Sequence, residues 1–213
     1  MQNGGQERDK GYSEIEYQQF RARSRMRSVM SAIGVLFWPL TVPLALLSRL
    51  SDVIFRSCSE FLSLIPYFPG VIVRQSFYRF ALESCGHNVI VEFGAVFIYR
   101  NVSVGSNVLI GRFSIIHHCN IGDYVLIGER CTFLSGSRQH RFEHLDTPIA
   151  LQGGQRRYIR IGRDVWIGSH AVVMDDVGDG AVVAAAAVVA RPVEERTIVA
   201  GMPAKPVSRR GQV

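Results

Sequence analysis

Over its C-terminal two-thirds the chain places an aliphatic residue at every sixth position, commonly followed by glycine. The steps run Val104-Gly105, Ile110-Gly111 and Ile116, then Ile121-Gly122, Ile127-Gly128 and Phe133. They resume as Ile161-Gly162, Ile167-Gly168 and Val173, followed by Val177-Gly178, Val183 and Val189. A period of six matches neither a helix nor the alternation of a strand. It fits three short strands per coil, each sending one aliphatic side chain into a shared core, with a small residue at each corner. One coil buries little, so roughly five stacked coils, about 89–135 and 157–195, are expected to form a continuous core.

A different pattern precedes the repeat. Residues 1–20 are polar and give no apolar face to bury. From Ser28 to Ser48 no charge occurs over 21 positions, a length that could span a bilayer. Pro39 and Pro43 fall inside this run and favour a kink. Between 46 and 65, Leu46, Leu47, Leu50, Val53, Ile54, Cys58, Phe61, Leu62 and Ile65 recur at helical spacing, opposite Arg49, Asp52, Arg56, Glu60 and Ser63. Such an amphipathic helix packs on a domain or lies in a membrane interface; directly after an apolar run, the interface is expected. A third stretch, 71–86, mixes Arg74 and Arg79 with aromatics and ends at Gly86, a plausible stop. The chain thus divides into a polar tail at 1–27, a helical membrane-associated segment at 28–86 and a repeat domain at 87–213, with an inserted loop at 134–157.

Charge sharpens the membrane expectation. The net charge is +6, and Arg21, Arg23, Arg25 and Arg27 stand just before the apolar run. Basic residues beside an apolar segment suit an anionic membrane surface. Nucleic acid is not an expected partner, because the basic clusters lack interleaved aromatics. Cys58, Cys85, Cys119 and Cys131 show no metal-ligand spacing, which argues against structural zinc and against a disulfide framework.

The repeat resembles that of the hexapeptide-repeat acyltransferases over residues 86–210. DVWIGSHAVV at 164–173 and IVAGMPAKPVSRR at 198–210 are similar to motifs of that family, and FYRFALESCGHNVIVEFGAVF at 77–97 to its membrane-associated polysaccharide branch. The fold implied is an all-β left-handed parallel β-helix with an N-terminal α-helical membrane-associated segment. The hand comes from the resemblance alone, since general connection rules favour the other.

The polar segment FLSGSRQHRFEHLDTPI at 133–149 interrupts the repeat and is similar to the family's "SGxxxHxFxxxDxPI" form. The resemblance maps the catalytic histidine to His140 and implies a homotrimer with active sites between subunits. A neutral imidazole can take the proton of a hydroxyl as it attacks a thioester, with no covalent enzyme intermediate. A bystander loop histidine is the competing reading, and His144 the competing residue. Asp146 matches a recurring acid that orients the imidazole, contacts the acceptor or shapes the loop before Pro148. For the acyl donor, acetyl-CoA, the resemblance implies Trp166, Ser169 and Ala185 along the cofactor groove, with Arg191 and Lys205 as cations for its phosphates. Ala184–Ala187 departs from the family's Gly-Ala-Gly-Ser/Ala run by two added methyl groups.

Gamma-class carbonic anhydrases share this solenoid and hold zinc through three histidines. IGRFSIIHHCNIGD at 110–123 is similar to that region, with His117 at the second ligand position, but Arg112 stands at the first. A cation there abolishes the site, so no metal is expected. His117 and His118 are then coil-surface residues or part of an acceptor site, for which Asn120 is a further candidate.

The expected function is acetyl-CoA-dependent O-acetylation of a sugar hydroxyl, in a polysaccharide or lipid-linked saccharide precursor, at the cytoplasmic face of a bacterial inner membrane. The alternatives are N-acetylation of an amino-sugar nucleotide and a non-catalytic membrane-bound scaffold. A soluble amine substrate leaves the membrane segment unexplained, and a scaffold leaves His140 and the PAK tail without purpose. Because coenzyme A is cytosolic, residues 28–73 are expected to enter and return on one face, as a Pro-kinked re-entrant or interfacial element.

Overall fold

A computed structural model describes residue 29, residues 32–136 and residues 138–212. The polar tail and its arginine cluster lie outside the described residues. Three helices come first: α1 (Trp38–Ser48), α2 (Asp52–Ser63) and α3 (Tyr67–Ala81). Pro39 lies in the first turn of α1, where a missing N–H costs nothing, while Pro43 lies inside it. Among the described residues no helix is long and apolar enough to cross a membrane.

The amphipathic stretch expected at 46–65 is not one helix. The chain turns at Arg49–Leu50, and the Ser51 hydroxyl caps α2 by accepting the Val53 N–H. Leu46 and Leu47 therefore belong to α1. α3 stops at Ala81 rather than Gly86. Gly86 instead forms the first corner of the coil, where a Cβ would collide with the backbone of Gly105.

The helices plug one end of the coil. α2 turns Phe55, Ser59, Leu62 and Ser63 inward and leaves Val53 and Phe61 exposed. Its Ser59 hydroxyl meets the Tyr78 hydroxyl at 2.7 Å and accepts the Phe97 N–H at 3.1 Å. The Tyr78 ring lies edge-on to Phe97, 4.7 Å between centroids. Arg74, placed by its sequence among membrane-facing aromatics, is fully buried. It donates to the carbonyls of Leu62 in the last turn of α2 and of Ile65 just beyond it, and to Val91 in the first coil. A cation there also complements the negative end of the helix.

The coil begins before the boundary expected at residue 87. It holds β1 (Ser84–Cys85), β2 (Ile90–Val91) and β3 (Val96–Phe97), then β4 (Ser103–Val104), β5 (Leu109–Ile110) and β6 (Ile115–Ile116). The next turn carries β7 (Cys119–Ile121), β8 (Leu126–Ile127) and β9 (Thr132–Phe133). After the inserted loop follow β10 (Ile159–Ile161), β11 (Trp166–Ile167), β12 (Val172–Val173), β13 (Val182–Val183) and β14 (Val188–Val189). β15 (Thr197–Ala200) and β16 (Lys205–Arg209) close the chain. Each strand pairs in parallel with its equivalent one coil away, except β16, which is antiparallel to β15.

Three sheets result. The first is β1-β4-β7-β10, continued by single bridges at Val177 and Val193. The second runs β2-β5-β8-β11-β13-β15-β16, and the third β3-β6-β9-β12-β14. The residues that set the six-residue period point inward: Ile110, Ile127, Ile167 and Val183 in the second sheet, Phe97, Ile116, Phe133 and Val173 in the third. Cys119 and Cys131 are buried beside them as small apolar groups. Small residues do not occupy every corner position. Asn107, Phe113, Tyr124, Arg130, Asp164 and His170 adopt left-handed backbone, with φ between 55° and 65°. Their side chains project into solvent, and the coil imposes the strain collectively.

Candidate active site

The inserted loop leaves the corner between the third and first sheets and folds back along itself. The Gln155 N–H donates to the Arg138 carbonyl, the Arg141 N–H to Gly153, and the Arg157 N–H to Ser135. Between these rungs lies Gly154, where a Cβ would collide with the Gln139 carbonyl and the His140 Cα. At the tip the Gln152 amide donates to the carbonyls of His144 and Thr147, each at 2.7 Å, and accepts the His144 N–H. At the base Arg157 pairs with Asp175 and Asp176 of the next coil. The loop is therefore a fixed projection, with His140 exposed on its outgoing arm.

Asp146 is also exposed near the tip, but no hydrogen bond joins it to His140 among the described residues. The structure shows it in the segment pinned by Gln152. His144 is held there through its backbone.

The other sequence candidates fall into two groups. Trp166 points outward from β11 on the second sheet and is 57 % exposed, beside exposed Leu126 of β8. At the following corner the Ser169 hydroxyl accepts the Glu129 N–H at 3.1 Å, and Ala185 is exposed one coil on. Lys205, exposed, opens β16 on the same sheet. These four make one stripe. Arg191 stands apart, at the corner after β14, and Asn120 faces outward from β7 on the first sheet. The loop's corner lies across the coil from the second sheet, and no hydrogen bond joins His140 to any residue of the stripe.

The Ala184–Ala187 departure preserves the coil. Ala186 has φ 58°, as Phe113, Arg130 and His170 have comparable values at the same corner of other coils. The Ala187 N–H closes the corner on Ala184 as the Ala171 N–H does on Gly168.

The sequence offered His117 and His118 as coil-surface residues or part of an acceptor site, but not the aromatic rings of Tyr99 and Tyr158 that pack around them. His118 stacks on Tyr99 with centroids 4.0 Å apart and meets Tyr158 edge-on at 4.9 Å. Its Nδ1 lies 3.0 Å from the Ser135 hydroxyl, which also accepts the His118 N–H. Burial lowers both imidazole pKa values below the ordinary 6.5, with His118 and Arg156 adding to the effect on His117, and Arg156 to that on His118. Beside this cluster, an open cleft of about 690 Å³ separates the helices from the first sheet and includes Arg49, Glu83, Arg100, Asn101, Asn120 and Tyr158. The available signal was spacing: Tyr99–Arg100, His117–His118 and Tyr158 recur at one corner of successive coils. Arg112, which displaces a zinc ligand in the anhydrase pattern, faces Glu92 at 3.7 Å.

No family model matches the chain. The chain spans about half the length of the first curated relatives it matches, chloramphenicol acetyltransferases. A probable macrolide acetyltransferase from Lysinibacillus sphaericus is 32 % identical over 46 % of this chain and 67 % of its own length. The chain belongs to the hexapeptide-repeat acetyltransferases. The galactoside O-acetyltransferase of Escherichia coli is another relative in this family, 30 % identical over 62 % of this chain and 66 % of its own. A crystal structure of a hexapeptide-repeat containing acetyltransferase from Vibrio cholerae superposes with TM-score 0.63 and 26 % identity, covering 74 % of this chain and 92 % of that one. The fold is the family's left-handed parallel β-helix, preceded here by helices.

Proposed function

We propose that the protein transfers an acetyl group from acetyl-CoA to a sugar hydroxyl, with His140 as general base. The observation that carries this is the loop: a projection stapled at base, middle and tip that presents an exposed imidazole. A neutral imidazole accepts the hydroxyl proton as the oxygen attacks the thioester, and returns it to the departing thiolate. The galactoside O-acetyltransferase relative supports a sugar as the acceptor class.

The stripe on the second sheet suits the donor. Trp166 and Leu126 give an apolar strip for a pantetheine arm, and Lys205 a cation for phosphate. When bound, the donor supplies the activated acyl group. Because the stripe and His140 lie on different sides of one chain, a complete site takes the loop from one copy and the stripe from another, in a homotrimer. Asp146 then orients either the acceptor or the imidazole of its own loop.

The helical cap supports work at a membrane surface. Leu36, Leu40, Leu50, Val53 and Phe61 are each more than 60 % exposed, far more apolar surface than a solvated helix needs. The cap lies in the interface on the cytoplasmic side, where coenzyme A is supplied, and the acceptor is a lipid-linked or polysaccharide precursor.

The test is thioester consumption with hydroxyl and amine acceptors. His140→Ala should lower turnover by about 10²–10⁴-fold, while His144→Ala leaves it within about threefold. Full activity in His140→Ala would refute the mechanism, and turnover only with amines would replace the acceptor class.

A further inference from the structure

We propose that the cleft between the helical cap and the first sheet binds the phosphate and sugar of a phosphorylated saccharide, the acceptor of the acetyl group. The inference rests on the reading that the protein acetylates a sugar, and it adds a site and a chemistry that reading lacks. The cleft of about 690 Å³ is of the size that holds a small polar ligand.

Two guanidinium groups stand in it. Arg49, from the turn after α1, is fixed by donating Nη2 to the Phe80 carbonyl at 2.8 Å, which leaves other N–H groups free. Arg100, at the corner between β3 and β4, faces the Asp52 carboxylate with its Nε at 3.7 Å, a loose ion pair between exposed side chains. Glu83 lines the cleft and Asp52 flanks Arg100, and the guanidinium N–H groups that these carboxylates do not engage among the described residues are forked donors suited to phosphate oxygens. Asn101 and Asn120 offer donors and acceptors for sugar hydroxyls, and Tyr158 adds a ring face beside them.

Tyr158 also ties the cleft to the foot of the loop that carries His140. It stands at the returning foot of the His140 loop, and its ring meets His118, whose Nδ1 contacts Ser135 at the outgoing foot. Leu46, Leu47 and Leu50, all exposed, flank Arg49, so the phosphate end of the cleft opens beside apolar surface. A sugar phosphate ester satisfies this arrangement whether it comes from a lipid-linked sugar or from a nucleotide sugar.

Titration calorimetry on the full chain tests the assignment. Members of a panel of hexose 1-phosphates should bind roughly tenfold tighter than the free hexoses or inorganic phosphate. Arg100→Gln should lose roughly that tenfold for the phosphorylated sugar but none for the free one, at unchanged melting temperature. Asn120→Ala should weaken both. A nucleotide sugar and a polyprenyl-phosphate sugar in detergent, compared in the same assay, identify the source by which binds more tightly. Hexose 1-phosphates that bind no better than hexoses, or an Arg100→Gln protein that binds them as wild type does, would overturn the proposal. Specific binding without any acetyl transfer would instead count against the acetyltransferase reading alone.

Discussion

At the scale of single residues, the site depends on groups that carry no chemistry. Gly154 allows the two arms of the loop to touch, because any side chain there meets the Gln139 carbonyl and the His140 Cα. Gly154→Ala should therefore displace His140 and lower turnover by about 10²-fold with little change in melting temperature, since the loop contributes almost nothing to the core. Steady-state kinetics beside thermal melts would separate the two effects. His118 makes a different prediction. Its folded pKa lies below the unfolded value, so the folded state binds fewer protons through that interval. The stability it contributes is complete above about pH 6.5 and is lost as pH falls through that value and then the folded pKa. Melting compared at about pH 7.5 and about pH 5.5 should show a smaller acid loss in His118→Phe than in wild type. Equal losses would place the titration elsewhere.

At the scale of elements, Arg74 joins the helices to the coil. It is fully buried, pairs with no carboxylate among the described residues, and serves the carbonyls of Leu62, Ile65 and Val91. Arg74→Met keeps volume but leaves those acceptors unsatisfied, and should destabilise by about 3 kcal/mol in denaturant titration. The six-residue period was readable because each strand buries one side chain of constant type, so composition and position carry the same message. Arg74 was not, since a charge in an aromatic stretch looks the same whether it faces solvent, lipid or three carbonyls. Nor was the break at Arg49–Ser51, because Leu46, Leu47 and Leu50 keep helical spacing across it. The loop was visible as a polar interruption. Its anchors Ser135, Gln152 and Arg157 were invisible, because a glutamine that bonds backbone carbonyls and an arginine that pairs with carboxylates one coil on look like ordinary surface residues in the sequence. Arg49 and Asn120 meet in one cleft although 71 positions separate them, and only the folded helices bring them together.

At the scale of the molecule, the exposed apolar face of the cap predicts binding to anionic vesicles. Replacing Leu50, Val53 and Phe61 together by Asn should abolish co-sedimentation of the full chain while leaving its fold intact, because all three are exposed. Retained binding would exclude this face. The two ends of the coil have a further consequence. Parallel strands stacked in register expose, at a bare end, unpaired backbone groups that invite another chain. Here the helices cover one end, and at the other β16 runs antiparallel, carries Pro206 without an N–H, and places Lys205 and Arg209 at its two ends, with Arg210 just beyond. Arg209 and Arg210 are tethered in turn to Glu194 and Asp164. These charged, proline-bearing residues are what keep a self-complementary ladder finite: shorn of β16, the same regularity that builds the core would let molecules add end to end into filaments.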